Sequence, residues 1–180
     1  MRNHELQRAR PHRVYGLGLV LLTLVLASTA AAQPDKDEPV RLEADQAQLN
    51  NATGESVYTG DVRLTQGKTV ITGDRLELYT TDDGAIERAV VTGEPATYKG
   101  QPEKKKTIVR GEAPRMIYYA GSDERIRMTE GAVLWQGKDR LEGETVVYRV
   151  KEDTVEADSS EGGEDRINIT LSPASESEGD

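Results

Sequence analysis

Val62–Tyr79 reads VRLTQGKTVITGDRLELY. It holds two short runs of alternating apolar and polar residues, joined at Gln66-Gly67-Lys68, with a further glycine, Gly73, inside the later run. Alternation with a period of two marks a half-buried strand, and a glycine-bearing break between two such runs marks a hairpin. Leu134–Tyr148, LWQGKDRLEGETVVY, repeats the pattern: Gln136-Gly137-Lys138 matches the first break and Gly143 matches Gly73. A chain that repeats a hairpin is a candidate β array.

The same alternation extends outward in both directions. Val40, Leu42 and Ala44 alternate with Arg41 and Glu43, and Asn50–Gly54 (NNATG) is a turn cluster. Strand-like runs follow at Ser56–Thr65, Lys68–Thr80, Ile86–Thr92 and Ala96–Lys99, with Asp82-Asp83-Gly84 as a turn and Gly93-Glu94-Pro95 as an interruption. Beyond the polar loop Gly100–Lys106, the runs are Thr107–Tyr119, Glu124–Trp135, Lys138–Val150, Thr154–Ala157 and Arg166–Leu171. Pro114 within Thr107–Tyr119 points to an edge or a bulge. Asp45–Leu49 is the nearest approach to a helical segment and is too short to nucleate one alone. The predicted class is therefore all-β.

A glycine-then-tyrosine module recurs. Ile71-Thr72-Gly73…Leu78-Tyr79 aligns with Val109-Arg110-Gly111…Ile117-Tyr118 and with Leu141-Glu142-Gly143…Val147-Tyr148. A β-branched residue follows Leu49 and each tyrosine after a similar interval: Val57, Ile86, Ile126 and Val155. This predicts repeated hairpins of similar length whose interior glycines permit bends, stacked so that an apolar seam is buried and the two ends stay open.

Composition limits the function. Arg2, Arg8, Arg10 and Arg13 precede the apolar run Val14–Ala27 and the small residues Ser28–Ala32, the order of a secretory signal peptide cut after Ala32. The expected organisation is a signal peptide at 1–32, a flexible segment at 33–39, one β domain at 40–171 and an acidic disordered tail at 172–180. The leader carries four Arg and one Glu, so removing its +3 from −9 leaves −12 for the rest. That acidity argues against nucleic acid as a partner. Both histidines, His4 and His12, fall in the leader and cysteine is absent. His- or Cys-based catalysis and the usual zinc ligand sets are therefore excluded after cleavage, and no catalytic residues, metal or cofactor are expected. Asp82/Asp83 and Glu152/Asp153 read as turn chemistry. Phe is absent and Trp135 is the single tryptophan, so the interior must be aliphatic and Tyr-based.

The motifs VRLEAD (Val40–Asp45), TGDV (Thr59–Val62), TQGK, TGDRLELY and GEPATY (Gly93–Tyr98), in this order, resemble the OstA-like family of Gram-negative bacteria, over about Val40–Leu171. The likeness is to its periplasmic lipopolysaccharide-transport bridge proteins. The resemblance implies a twisted, slightly open β-jellyroll whose apolar interior carries lipopolysaccharide acyl chains for outer-membrane assembly. It also implies head-to-tail homo-oligomers that link inner-membrane-anchored and outer-membrane components across the periplasm. On that basis Val40, Leu42, Tyr98, Tyr118 and Ala120 are expected to face lipid, and Leu64, Leu76 and Leu78 of the opening stretch to line the same groove. The edge strands, with Val40 and Leu42 at one end and Ile167, Ile169 and Leu171 at the other, are the expected subunit interface. Two alternatives stay open: an inner-membrane-anchored sibling that retains Val14–Ala32, and a periplasmic β scaffold without lipid cargo.

Overall fold

The computed structural model describes residues 38–102, 107–160 and 166–173. The leader (1–32), most of the 33–39 segment, the Glu103–Lys106 loop and the end of the acidic tail lie outside the described residues. The described chain forms ten strands: β1 (Arg41–Glu43), β2 (Gln46–Asn50), β3 (Glu55–Gln66), β4 (Thr69–Thr80), β5 (Ile86–Gly100), β6 (Val109–Tyr119), β7 (Arg125–Gln136), β8 (Asp139–Arg149), β9 (Thr154–Asp158) and β10 (Asn168–Thr170). Every pairing is antiparallel. From β3 to β8 each strand pairs with the next in sequence.

The edges are broken strands. β1 and β2 lie end to end along β3, and β9 and β10 lie end to end along β8. Asp45 bridges the first break by donating its N–H to the Gly60 carbonyl at 3.0 Å. Asp45–Leu49, the segment closest to a helical pattern, lies almost wholly in β2, held by its register with Ser56–Thr59 of β3. The matching breaks at Gly67 and Gly137 are hairpin turns whose glycines take φ +54° and +64°. Positive φ at the first central residue suits the right-handed twist of the flanking strands.

Each neighbouring pair of long strands changes register at one shared level, and β4–β5 shifts a second time between Tyr79 and Thr80, at its tip. The shared shifts fall between Thr59 and Val62 of β3, Thr72 and Arg75 of β4, Thr92 and Ala96 of β5, Glu112 and Arg115 of β6, and Thr129 and Ala132 of β7. These positions lie side by side, so a crease crosses the whole sheet. The buried phase also switches there: Ile71 gives way to Leu76 and Leu78 in β4, and Ala89 and Val91 to Ala96 and Tyr98 in β5. Extra residues at the crease let a strand bend while its apolar side stays inside. Ile86–Thr92 and Ala96–Lys99, two runs in the sequence pattern, are thus one strand, β5, bent at Gly93-Glu94-Pro95.

The crease divides the sheet into two leaves that fold face to face. A first leaf carries the tip turns Gln66–Thr69 and Gln136–Asp139, and a second leaf carries the turns at Thr80–Ile86, Tyr119–Arg125 and Arg149–Thr154. Contacts between the leaves show the fold. A side chain on Gly111 in the first leaf would meet Met128 Sδ of the second at 2.5 Å. Gln136 at a first-leaf tip donates to Asp153 at a second-leaf tip at 3.0 Å. The space between the leaves is filled by one apolar cluster running from Val62 to Tyr148. Full burial of such side chains contributes roughly 1.5–3 kcal/mol each.

The repeat needs a correction of one residue. Register through the second leaf aligns Leu78, not Tyr79, with Ala89, Tyr118, Ile126 and Tyr148. Tyr79 faces outward beneath the Arg88 guanidinium, 4.1 Å from its ring centre. The glycine-to-tyrosine interval differs among the copies, so the aligned tyrosines cannot all share one face. Gly73 and Gly143 sit at the crease as bends, whereas Gly111 lies beside it and makes room for Met128.

Candidate functional site

The interior between the leaves is the candidate site, and alternation in the first leaf builds it directly. Register connects Leu42, Leu64, Ile71, Tyr98, Gly111, Leu134, Leu141 and Ile169 as one inward row, from one sheet edge to the other. In the second leaf the facing rows include Leu76, Val91, Met116, Met128 and Val146, then Leu78, Ala89, Tyr118, Ile126 and Tyr148. An apolar lining therefore spans the full width of the sheet.

Of the residues expected to line a groove, Leu64, Leu76, Leu78 and Tyr98 meet in this cluster, with Leu42 and Tyr118 packed against it. Val40 stands just before β1 and is exposed. Ala120 follows β6, half-buried, with its N–H on the Glu87 carbonyl at 3.0 Å. Neither joins the cluster. Leu64, Leu76, Leu78 and Tyr98 are each no more than 6% exposed, so the leaves touch and the lining is closed as it stands. Alternation alone missed Met116, Met128, Leu134 and Tyr148 as interior residues of equal standing. Pairing each strand with the next would have found them.

Among the described residues, Glu124 is the buried charged residue, and it lies at a second-leaf tip away from the crease. Tyr118 donates its hydroxyl to Glu124 Oε1 at 3.1 Å, and Glu124 is 8% exposed. Tyr148 donates to Asp153 Oδ1 at 3.0 Å, and Gln136 Nε2 donates to the same carboxylate. Asp153 holds φ +52°, an uncommon conformation that Asp tolerates better than most residues. Gln136, Asp153 and Tyr148 thus form a latch across the mouth of the folded sheet. Burial pushes the Tyr98, Tyr118 and Tyr148 phenols well above their ordinary range. The carboxylates of Glu124 and Asp153 add to the rise at Tyr148, and that of Glu124 adds at Tyr98 and Tyr118. The three hydroxyls therefore remain donors at any physiological pH.

Exposed large hydrophobic residues among the described residues cluster at the two sheet edges: Val40 and Leu49 at one, Ile167, Ile169 and Leu171 at the other. Ile169 and Leu171 are 60% and 73% exposed. β1 and β10 stand at the edges as expected, and β2 and β9 extend those edges, with outer backbone groups facing away from the sheet. Among the described residues no helix is long and apolar enough to cross a membrane.

Comparison with known proteins agrees with this architecture. Residues 41–154 match the family model described as LptA/(LptD N-terminal domain) LPS transport protein. The chain is 31% identical over 159 residues to the lipopolysaccharide export system protein LptH of Pseudomonas aeruginosa, covering 84% of this chain and 90% of that protein. It is 31% identical over 163 residues to the lipopolysaccharide export system protein LptA of Escherichia coli, covering 88% of this chain and 85% of the relative. The crystal structure of LptH, the LptA-homologous periplasmic component of the lipopolysaccharide transport device of Pseudomonas aeruginosa, superimposes with a TM-score of 0.70 at 30% identity. The match covers 77% of this chain and 99% of that one. With its all-β folded sheet matching that jellyroll, the chain belongs to the LptA/LptD N-terminal-domain family of lipopolysaccharide transport proteins.

Proposed function

We propose that this protein is a periplasmic, non-enzymatic lipopolysaccharide carrier that holds acyl chains between its two leaves and works in head-to-tail arrays linking inner-membrane-anchored and outer-membrane components. The observation that carries the proposal is the inward apolar row from Leu42 to Ile169, which reaches both sheet edges. A pocket for one small molecule would be walled at its ends. A lining continuous with both edges suits cargo that leaves one subunit and enters the next.

Energetics support the same reading. Each acyl CH₂ removed from water gains about 0.8 kcal/mol, so a few chains outweigh any single polar contact. Because the leaves touch, loading parts them, with the crease as hinge on one side and the mouth latch as opening on the other. Val40, Leu42, Leu64, Leu76, Leu78, Tyr98, Tyr118 and Ala120 are assigned to lipid. Val40, Leu42, Ile167, Ile169 and Leu171 are assigned to the contact between subunits, where unpaired edge strands can pair by β-augmentation.

Site-specific photocrosslinking tests the carrier assignment. A photoreactive residue at Leu42 or Tyr118 should capture lipopolysaccharide in the folded protein, and one at the outward Arg127 should not. If neither inward position captures lipid, the protein is a scaffold rather than a carrier. A mature N-terminus at Gln33 would support periplasmic release, and retention of Val14–Ala32 would assign the anchored form.

A further inference from the structure

Charge is distributed unevenly around the folded sheet. Acidic side chains follow the crease on six successive strands, at Asp61, Asp74, Glu94, Glu112, Glu130 and Glu144. The second-leaf tips carry Asp82, Asp83, Glu87, Asp123 and Glu152, and their cations are engaged: Arg125 and Arg149 pair with Asp123, and Lys151 donates to the Gly121 and Ser122 carbonyls. The first-leaf rim is richer in cations, with Asp139 as the acid of its Gln136–Asp139 turn. On its outer face, register places Arg41, Lys99, Arg110 and Arg140 in one cross-strand row, with Trp135 between the last two. Lys68 and Lys138 stand in the tip turns immediately beyond that row. All six cations are exposed.

The chemistry of this rim is unfavourable for the protein alone. Lys99 and Arg110 are direct cross-strand partners, and like charges placed opposite each other destabilise a sheet. In a chain of net charge −9 with acids close by, Arg41, Lys68, Lys99, Arg110 and Lys138 make no ion pair among the described residues. Only Arg140 is engaged, by Glu142 and by the Trp135 ring at 5.7 Å. The row also borders the mouth, the side on which the headgroup of a lipid must stay when its chains lie between the leaves.

We infer that the rim formed by Arg41, Lys68, Lys99, Arg110, Lys138 and Arg140 is a track for the phosphate groups of the carried lipid's headgroup. This rests on the carrier function proposed above and specifies which side of the mouth the headgroup occupies. Phosphates lie over the first-leaf rim and are repelled from the acidic second-leaf tips. An acidic protein thereby accommodates a phosphorylated cargo without taking its charges inside. A row of equivalent exposed cations holds an anion weakly at each step, which permits sliding.

Trp135 provides the readout. The mature chain is titrated with phosphorylated lipid A, with the same lipid A after phosphatase treatment, and with inorganic phosphate, following Trp135 fluorescence and direct binding. The wild type should prefer the phosphorylated lipid. Lys68→Gln/Lys99→Gln/Arg110→Gln should bind it roughly tenfold more weakly, the summed effect of exposed ion pairs, while binding the dephosphorylated lipid within about twofold of wild type. Arg88→Gln/Arg115→Gln/Arg127→Gln, which removes as many charges from the second leaf, should retain the wild-type preference. Equal loss for both lipids, no loss for either, or the same loss in the second-leaf variant would overturn the inference. So would a Trp135 response to inorganic phosphate as strong as to the lipid, or an effect confined to self-association in light scattering. A wild type that binds neither lipid would sink the carrier function itself, and the rim assignment with it.

Discussion

Asp153 is the most informative single position for the idea that the mouth is latched. It accepts a hydrogen bond from Tyr148 within the second leaf and one from Gln136 across the two leaves, at 3.0 Å each, and it holds φ +52°. Three substitutions separate these roles. Asp153→Ala leaves the Tyr148 hydroxyl, on a residue with no exposed surface, without this acceptor, a loss of about 1–3 kcal/mol. It also places Cβ in the left-handed region without a polar group to offset it, roughly 1 kcal/mol more. Asp153→Gly loses the acceptor but relieves the backbone. Asp153→Asn keeps a carbonyl acceptor and tolerates the same φ. The expected order of destabilisation is therefore Asn below about 1 kcal/mol, Gly at about 1–3 and Ala at about 2–4. At this domain size Ala should lower Tm by roughly 8–15 °C. Urea unfolding with an unchanged slope gives the free energies, and hydrogen exchange at the Gln136–Asp139 and Arg149–Thr154 tips reads the opening itself. Gly more damaging than Ala, or Asn as damaging as Ala, would refute this account. Global destabilisation with no faster exchange at the tips would show that Asp153 supports the fold without gating it.

Other expectations follow from the packing. Leu76→Ala, at a residue with no exposed surface in the centre of the second leaf, should cost about 2–5 kcal/mol in urea unfolding, whereas Val40→Ala should be near neutral. Raising pH should destabilise the fold above about pH 10. The phenols of Tyr98, Tyr118 and Tyr148 are raised in the folded state, so their contribution is present below the unfolded value and is lost as pH climbs past it. Each phenol that ionises only on unfolding adds about 1.4 kcal/mol per pH unit to that loss. Phenolate absorbance should thus appear together with the unfolding transition, and Tyr148→Phe should flatten the alkaline limb. Ile169→Asp, on the exposed C-terminal edge, should leave the Tm of the isolated subunit within a degree or two while reducing the mass seen by light scattering at high concentration. Unaltered association would move the subunit contact elsewhere.

Much of the architecture was legible because one physical rule repeats along it. A strand with one wet and one buried face must alternate, and alternation located every long strand to within two residues of its ends, apart from the join in β5. The crease was not legible as a crease. Gly93-Glu94-Pro95 reads as a local interruption, Gly60-Asp61 and Glu130-Gly131 sit unmarked inside continuous runs, and only pairing between strands aligns the three. The same limit explains the misplaced Tyr79. A sequence motif aligns residues by type, whereas the face a residue takes depends on an odd or even count from the bend. Interior residues near the first break, such as Leu64, Leu76 and Leu78, could be named from alternation within a single hairpin. Glu124 could not, because a carboxylate at a turn is ordinarily solvated. Its burial comes from the folding of the leaves, which brings it beneath Tyr118. The cationic rim was hidden for a related reason: Arg41, Lys99, Arg110 and Arg140 are scattered in sequence and adjacent only in register.

In the proposed carrier, a hinged pair of leaves also resolves a conflict between holding and releasing a lipid. Gains of about 0.8 kcal/mol per CH₂ would trap an acyl chain if release meant return to water. Release into a second lining of the same kind costs almost nothing, so transfer is governed by the barrier at the junction and not by affinity. That barrier is lowest where the apolar surface is unbroken, and Leu42 and Ile169 end their shared row at opposite edges. The leaves, by contrast, must open along their whole length for cargo to pass, which favours a closure made of few exposed contacts. On that proposal, both requirements are met with different chemistry: a hydrocarbon interior that is similar from strand to strand, and a mouth held by hydrogen bonds such as Gln136 to Asp153 that water can replace. A charged or bulky polar residue introduced midway, for example Ile71→Lys, should therefore block passage more severely than it lowers binding, since the chain remains bound on one side of the obstruction. Lipid captured at Leu42 but no longer at Leu134 in the same folded variant would show that block. Equal capture at both positions would show that lipid does not travel along this row.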